Sequence, residues 1–428
     1  MPVSRACNLI MRAVDSGCKW CASIILELFR MIDIIKILAA FSLIIVLLRL
    51  RWNLGLVMFA AAVFLGMLYH ISPLKQARVM VQSTLEPITI NLVTGLVLIM
   101  VLENIIRKKG LLTRMMEAVV NVARDRRIAM AVLPGVIGLL PSAGGAAFSA
   151  PMVQGAAAGV AMEPEYKAFV NYWFRHIWEC ISPLYPGVVL AAAVTKAPIN
   201  KFLISQLPIP LAVIGAGSLF GFRGITSDAV PGSRSVTEIK ALILTLLPLT
   251  ISIILVAVIR MPLSFAMMSI VTGMFVFYRY TWSEIRTAFR ESFSIQIVLM
   301  TVGILVFKGM LDASGAIDAL PVFFTESGMP TFVILFTLPF AVGLLTGLTV
   351  GFVGATFPII TVLLGGHPDL GSITFAFASG FAGMMLSPTH LCLLLTLQYF
   401  KADMAGTYRL MYIPVLLVFL AGLVRLWL

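Results

Sequence analysis

Residues 171–187 read NYWFRHIWECISPLYPG, placing Arg175, His176 and Glu179 within five positions of a chain that is 60% hydrophobic. Charges held in such surroundings are costly unless paired or hydrated, and they mark functional sites. Arg175 and Glu179 are spaced i, i+4, so a helix running on to Pro183 would carry them on one face. Two readings of that pair stand. In one, the charges form a buried ion pair that cancels itself; in the other, Arg175 draws an anionic substrate while Glu179 holds Arg175 or carries a proton. His176 lies about 100° round the same helix and reads as a packed neighbour. His176 and Glu179 also have the i, i+3 spacing that can bind a metal, but the matching span has no second His/Glu pair. A second cluster, MMLSPTHLCLLL (384–395), sets His390 directly at a Ser-Pro break, where an imidazole could titrate. Cys180 and Cys392 read as small membrane residues, and Cys18-Lys19-Trp20-Cys21 is a lone C-x-x-C without the second pair of a metal site.

Those side chains need elements to position them. A mean hydropathy of +1.02 excludes an ordinary soluble domain. Apolar runs long enough for a bilayer core lie near 34–50, 53–71, 88–106, 202–221, 239–259, 261–279, 293–310 and 408–427, with interrupted spans near 168–195 and 370–398. The chain is read as an all-α polytopic membrane protein that repeats itself. At an offset of about 205 positions, Gly110 falls on Gly315, Leu133-Pro134 on Leu338-Pro339, Ser182-Pro183 on Ser387-Pro388 and Lys196 on Lys401. The expected division is an N-terminal extension (1–30), repeat 1 (31–221), a cytoplasmic linker (222–238) and repeat 2 (239–428). Within each repeat, one segment rich in Gly, Ala and Ser (133–162 and 343–360) is too short on each side of its turn to cross twice. It reads as a re-entrant hairpin with close packing. Five full spans per unit is an odd number, so the second unit enters from the opposite face. The expectation is two inverted repeats, each of five transmembrane helices plus one re-entrant hairpin, an organisation common in secondary transporters.

The net charge of +12 calls for no nucleic acid. Arg107, Lys108, Lys109, Arg114, Arg124, Arg126, Arg127, Arg279, Arg286 and Arg290 gather on one face of that alternation, which the positive-inside rule makes cytoplasmic. Both termini then lie outside, across the cytoplasmic membrane of a prokaryote. Residues 1–30 hold several charges around short apolar pieces and lack a small-residue cleavage site, so no signal peptide is expected. Glu103 maps onto Lys308, yet inversion places the two near opposite faces, and each reads as a local interface charge.

Broken helices at membrane depth expose backbone amides and carbonyls, which suit anions and small cations respectively. Ser142, Gly144, Gly145 and Ser182 make one expected half-site; Thr346, Gly347, Thr349, Ser387 and Thr389 make the other, with Arg175, Glu179 and His390 beside them. No resident cofactor is expected, and the coupling ion is sodium or a proton, with sodium placed at the hairpin tips and breaks.

GLLPSAGGAAFSAPM (138–152), HIWECISPLYPG (176–187) and MMLSPTHLCLLL resemble the integral-membrane family catalogued as domain of unknown function 401, over about residues 31–428. That family is grouped with the ion-transporter superfamily, which includes dicarboxylate, citrate and gluconate permeases and sodium/proton antiporters. The resemblance implies two scaffold-plus-hairpin repeats, a homodimer, and an elevator motion that carries substrate. It places function at the tips Ser142–Gly145 and Thr346–Thr349 and at the two Ser-Pro breaks. The expectation is a secondary active transporter of a small organic anion such as a carboxylate. The alternative is a cation/proton antiporter; a membrane-embedded enzyme or a channel ranks lower. No nucleotide fingerprint of a primary pump and no catalytic elbow appears.

Overall fold

In the computed structural model, residues 19–427 are described apart from 124, 142–144, 224, 226–235, 316–329 and 366–368, with side chains described from residue 32 onward except 34. The expected extension (1–30) and most of the linker therefore lie outside the described residues or show backbone alone. The described chain is helical, and no strand occurs among the described residues. Among the described residues, five helical stretches are long and apolar enough to cross a membrane: Pro87–Lys108, Ile199–Gly221, Val236–Val258, Ile295–Ser314 and Met404–Trp427. Shorter apolar helices accompany them, among them Leu54–Leu68, Leu263–Phe277 and Leu370–Met385.

The first half contains α1 (Lys19–Arg49), α2 (Leu54–Leu68), α3 (Pro73–Leu85), α4 (Pro87–Lys108), α5 (Leu111–Val122), α6 (Arg126–Ile137), α7 (Gly145–Ala156), α8 (Pro164–Arg175), α9 (Pro186–Val194), α10 (Ile199–Gln206) and α11 (Pro208–Gly221). The second contains α12 (Val236–Ile253), α13 (Leu263–Phe277), α14 (Trp282–Ser292), α15 (Ile295–Ser314), α16 (Thr331–Thr346), α17 (Thr349–Leu363), α18 (Leu370–Met385), α19 (Leu391–Phe400) and α20 (Met404–Trp427).

Local backbone recurs between the halves. Left-handed conformations cost L-residues energy, yet Lys196 (φ 57°) and Lys401 (φ 53°) both adopt one, as do Gly110 (φ 67°) and Gly315 (φ 76°). Arg51 and Arg260, and His70 and Arg279, form two further such pairs at a slightly longer offset. Gly138 meets the backbone carbonyl of Arg175, and Gly343 meets that of Gly380. The shared offset means that each half seats the first arm of its small-residue segment on its broken helix in the same way.

Two elements depart from the sequence expectation. Residues 73–85 and 282–292 fall in expected loops but form α3 and α14. Ser72 caps α3 ahead of Pro73, and Thr281 caps α14 through a reciprocal box with Glu284. The backbone and hydroxyl bonds from Thr281 hold the Glu284 carboxyl below the usual carboxylate range. Their polar, amphipathic composition hides them from a search for apolar runs. The first small-residue segment also begins earlier than expected, because α6 starts at Arg126 behind the Asp125 cap and carries Pro134 inside it.

Packing sorts the helices into two groups, each drawing on both halves. In one, α2 packs on α15 and α4 on α13, with Gly55 and Gly303 letting the α2 and α15 backbones touch. In the other, α11 packs on α20, α7 and α8 on α19, α9 on α17, and α16 on α18. Most of the largest fully buried side chains, among them Phe169, Tyr172, Trp173, Phe352 and Phe375, belong to this second group, whereas Phe307 of α15 lies in the first.

Candidate functional site

The opening stretch breaks earlier than its spacing suggests. Helix α8 ends at Arg175, a 3-10 turn spans Ile177–Cys180, and regular helix resumes only at Pro186. Arg175 and Glu179 therefore do not sit one α-turn apart, which corrects the expected shared face. The physical reason is that Pro183 and Pro186 lack amide protons and disfavour helix before them, so the backbone tightens into a 3-10 turn.

At both Ser-Pro breaks the serine makes the same small turn. Ser182 Oγ accepts from Leu184 N at 3.3 Å, and Ser387 Oγ accepts from Thr389 N at 3.3 Å. Tyr185 N and His390 N donate to the carbonyls of Ser182 and Ser387 at 3.0 and 3.2 Å. These bonds satisfy backbone that the prolines leave without helical partners. Tyrosines cap the remaining ends: Tyr172 Oη donates to Met385 O (3.1 Å), Tyr408 Oη to Leu386 O (3.1 Å) and Tyr185 Oη to Gly138 O (2.6 Å).

Between the breaks lies one buried polar cluster. Glu179 accepts a hydrogen bond from the Thr349 hydroxyl, and its Oε2 lies 3.7 Å from His176 Nε2. His176 Nδ1 contacts Tyr172 O at 2.6 Å, and its Nε2 lies 3.1 Å from His390 Nε2. Tyr172 stands edge-on to both imidazoles, with centroids 4.7 and 5.3 Å away. The Arg175 guanidinium lies within electrostatic reach of Glu179, Tyr185 and Cys392. Asn171 ties α7 to α19, donating to Ala146 O (3.1 Å) and Thr396 Oγ1 (2.9 Å). All these side chains are buried; Arg175 is 3% exposed and His176 fully enclosed. A cavity of 590 Å³, a size that suits a small ligand, borders the same 3-10 turn through Ile177 and Trp178.

Of the expected site residues, Arg175, Glu179, Thr349 and His390 face this cluster, and Gly347 (φ 63°) backs the main chain of His390. Gly145 opens α7 and is buried, while Ser142 and Gly144 lie outside the described residues. Ser182 and Ser387 are spent on their turns. Thr346 bonds back to Val342 O at 2.8 Å, and Thr389 is exposed beside Leu345 O, so neither hydroxyl reaches the cluster through its hydrogen bonds. Lys308 pairs with Asp312 at 3.1 Å within α15. Three participants lie outside the expected site set: His176, read as a packed neighbour, Cys392, read as a small membrane residue, and Tyr172, which carries no signal in the sequence. The hint for Cys392 is its position two residues after His390. The ligating atoms of His176, His390 and Cys392 all lie within 4.8 Å of one another, so a cation has donors available here.

The comparison with curated proteins finds no match. The family model for a protein of unknown function, DUF401, matches residues 34–428. That match covers every element of the cluster and both packed groups, and the chain, helical and membrane-type, belongs to this family of unknown function.

Proposed function

We propose that the chain is a secondary active transporter of a small organic anion such as a carboxylate, driven by a proton or sodium gradient. The observation that supports this best is the enclosed cluster at which the first break (Arg175, His176, Glu179) meets the second break (His390) and the start of α17 (Thr349). Irregular backbone with ionisable side chains at membrane depth is stable only against protein or a water-filled path. Arg175 supplies a guanidinium fork that matches the oxygens of an anion, and the two imidazoles beside it can hydrogen-bond without opposing its charge.

In this reading the two halves are inverted repeats, each with five spans and one re-entrant hairpin formed by α6–α7 and α16–α17. The hairpin-and-break group (α6–α11 and α16–α20) moves as an elevator against the group built on α2, α4, α13 and α15. The repeats run 31–221 and 239–428, joined by a cytoplasmic linker, with both termini outside a prokaryotic cytoplasmic membrane and a homodimer as the working form. The cation/proton antiporter remains the competing reading, because Glu179 is the one buried carboxylate among the described residues of the junction.

The test is uptake into proteoliposomes of labelled dicarboxylates and tricarboxylates under an imposed pH or sodium gradient. Saturable, gradient-driven uptake that Arg175→Ala abolishes is expected. Sodium efflux on external acidification without anion uptake would replace this reading with the antiporter.

A further inference from the structure

We propose that the junction of the two breaks binds a divalent cation of the zinc or cobalt class, through His176 Nε2, His390 Nε2 and the Cys392 thiolate, with Glu179 as fourth ligand. The inference rests on the donor set and not on the transport reading.

The first argument is the tautomer of His176. Its Nδ1 sits 2.6 Å from the Tyr172 carbonyl, which can only accept, so Nδ1 carries the proton and Nε2 presents a lone pair. An imidazole fixed through its far nitrogen by a backbone carbonyl is the usual outer arrangement of a metal ligand. The second argument is how the two rings face each other. Their Nε2 atoms are 3.1 Å apart, and their centroids are 4.9 Å apart with planes inclined at 76°. Rings aimed head-on across that gap would hold their centroids about 5.4 Å apart; two rings converging on one ion at about 2.05 Å, with the nitrogens kept at the same separation, would hold them about 4.8 Å apart, and a fully tetrahedral ion would spread them to about 5.2 Å. The observed spacing is that of rings inclined toward a common point.

The third argument is chemistry. Two imidazoles, one thiol within 4.8 Å of the ring nitrogens, and a carboxylate oxygen 3.7 Å from His176 Nε2 make a mixed N, S and O set that suits zinc rather than magnesium or calcium. The sulfur needs to close by at most about 1.2 Å to reach the N···S separation of a tetrahedral site. Thiolate and carboxylate together neutralise a divalent ion. Arg175 then leaves the site with one positive charge, the complement of an anion. The donors come from both halves, so the ion would fasten the first break to the second. Binding displaces the Cys392 proton, so metal addition acidifies an unbuffered solution.

The experiment uses the full chain, purified in detergent, stripped with chelator and titrated with cobalt(II). The expected result is one cobalt per chain, visible bands of a four-coordinate ion, a near-ultraviolet thiolate-to-cobalt band, and bleaching of both by zinc. Cys392→Ser should fold, lose the near-ultraviolet band and bind at least about tenfold more weakly. His176→Ala and His390→Ala should lose the visible bands. Two results overturn the proposal: no cobalt bands in wild-type protein that elutes as a single folded species, or bands that persist in all three variants, which would mark an adventitious ion only. Anion uptake by protein that fails to bind cobalt would overturn this inference and leave the transport reading standing.

Discussion

Thr349 opens a helix of the second half, yet its hydroxyl donates to Glu179 of the first. A buried carboxylate depends on such donors, since leaving it short of one costs about 1–3 kcal/mol. Thr349→Val keeps the shape and removes the donor, so the melting temperature in detergent should fall, while Thr349→Ser should melt close to wild type. Equal melting of the valine variant would mean that the bond contributes nothing to stability. Arg175 supports a separate prediction about affinity. Its guanidinium is a planar fork that a lysine ammonium cannot reproduce, so Arg175→Lys should raise the KM for a carboxylate about tenfold or more while leaving expression intact. An unchanged KM would remove Arg175 from the substrate path. At this scale the sequence was partly legible. Arg175, Glu179 and His390 stood out by type and place, whereas the partners of Glu179 and His176 lie 170 and 214 positions away and no local pattern could find them.

Among the elements, the two broken helices are held by equivalent glycines. A β-carbon on Gly138 would run into the carbonyl of Arg175, and one on Gly343 into that of Gly380. Neither carbonyl can yield without moving its helix, so Gly138→Ala and Gly343→Ala should each cost about 1–3 kcal/mol, the usual penalty of overpacking. Gly155 in α7 and Gly215 in α11 have open space around them, and alanine there should leave the melting temperature unchanged or raise it slightly. Matched losses at 138 and 343 with none at 155 and 215 would support the equivalence; indifference at 138 and 343 would remove it. The Ser-Pro breaks were legible because proline marks them. The 3-10 turn before Pro183 was not, because a spacing of four says nothing about whether the helix carrying it survives.

For the whole molecule, the inverted arrangement proposed above makes a prediction that no single element makes. Helices α3 and α14 occupy corresponding places in the two halves, so the proposed inversion would put them on opposite faces of the membrane. Arg78 and Thr287 are exposed on these helices. In a background without other reactive thiols, Arg78→Cys should be labelled by an impermeant maleimide from outside intact cells. Thr287→Cys should be labelled only after the membrane is opened. Labelling of both from the same side would end the inverted-repeat reading while leaving the helical fold intact.

Hydropathy determined by itself that this chain is helical and membrane-type, and Gly and Lys landmarks at a fixed spacing marked backbone turns that recur, because these properties follow from side-chain transfer energies and local backbone preference. Family membership was legible too, through LLPSAGGA and SPTHLCL. Tertiary structure alone decided the rest. It ended α8 at Arg175, folded the polar loops 73–85 and 282–292 into helices, spent Thr346 and Thr389 on backbone bonds, and set His176 against His390. Those outcomes depend on which distant backbones can approach each other. Packing of α8 on α19 and of α9 on α17 supplies that approach, and no window of sequence contains it.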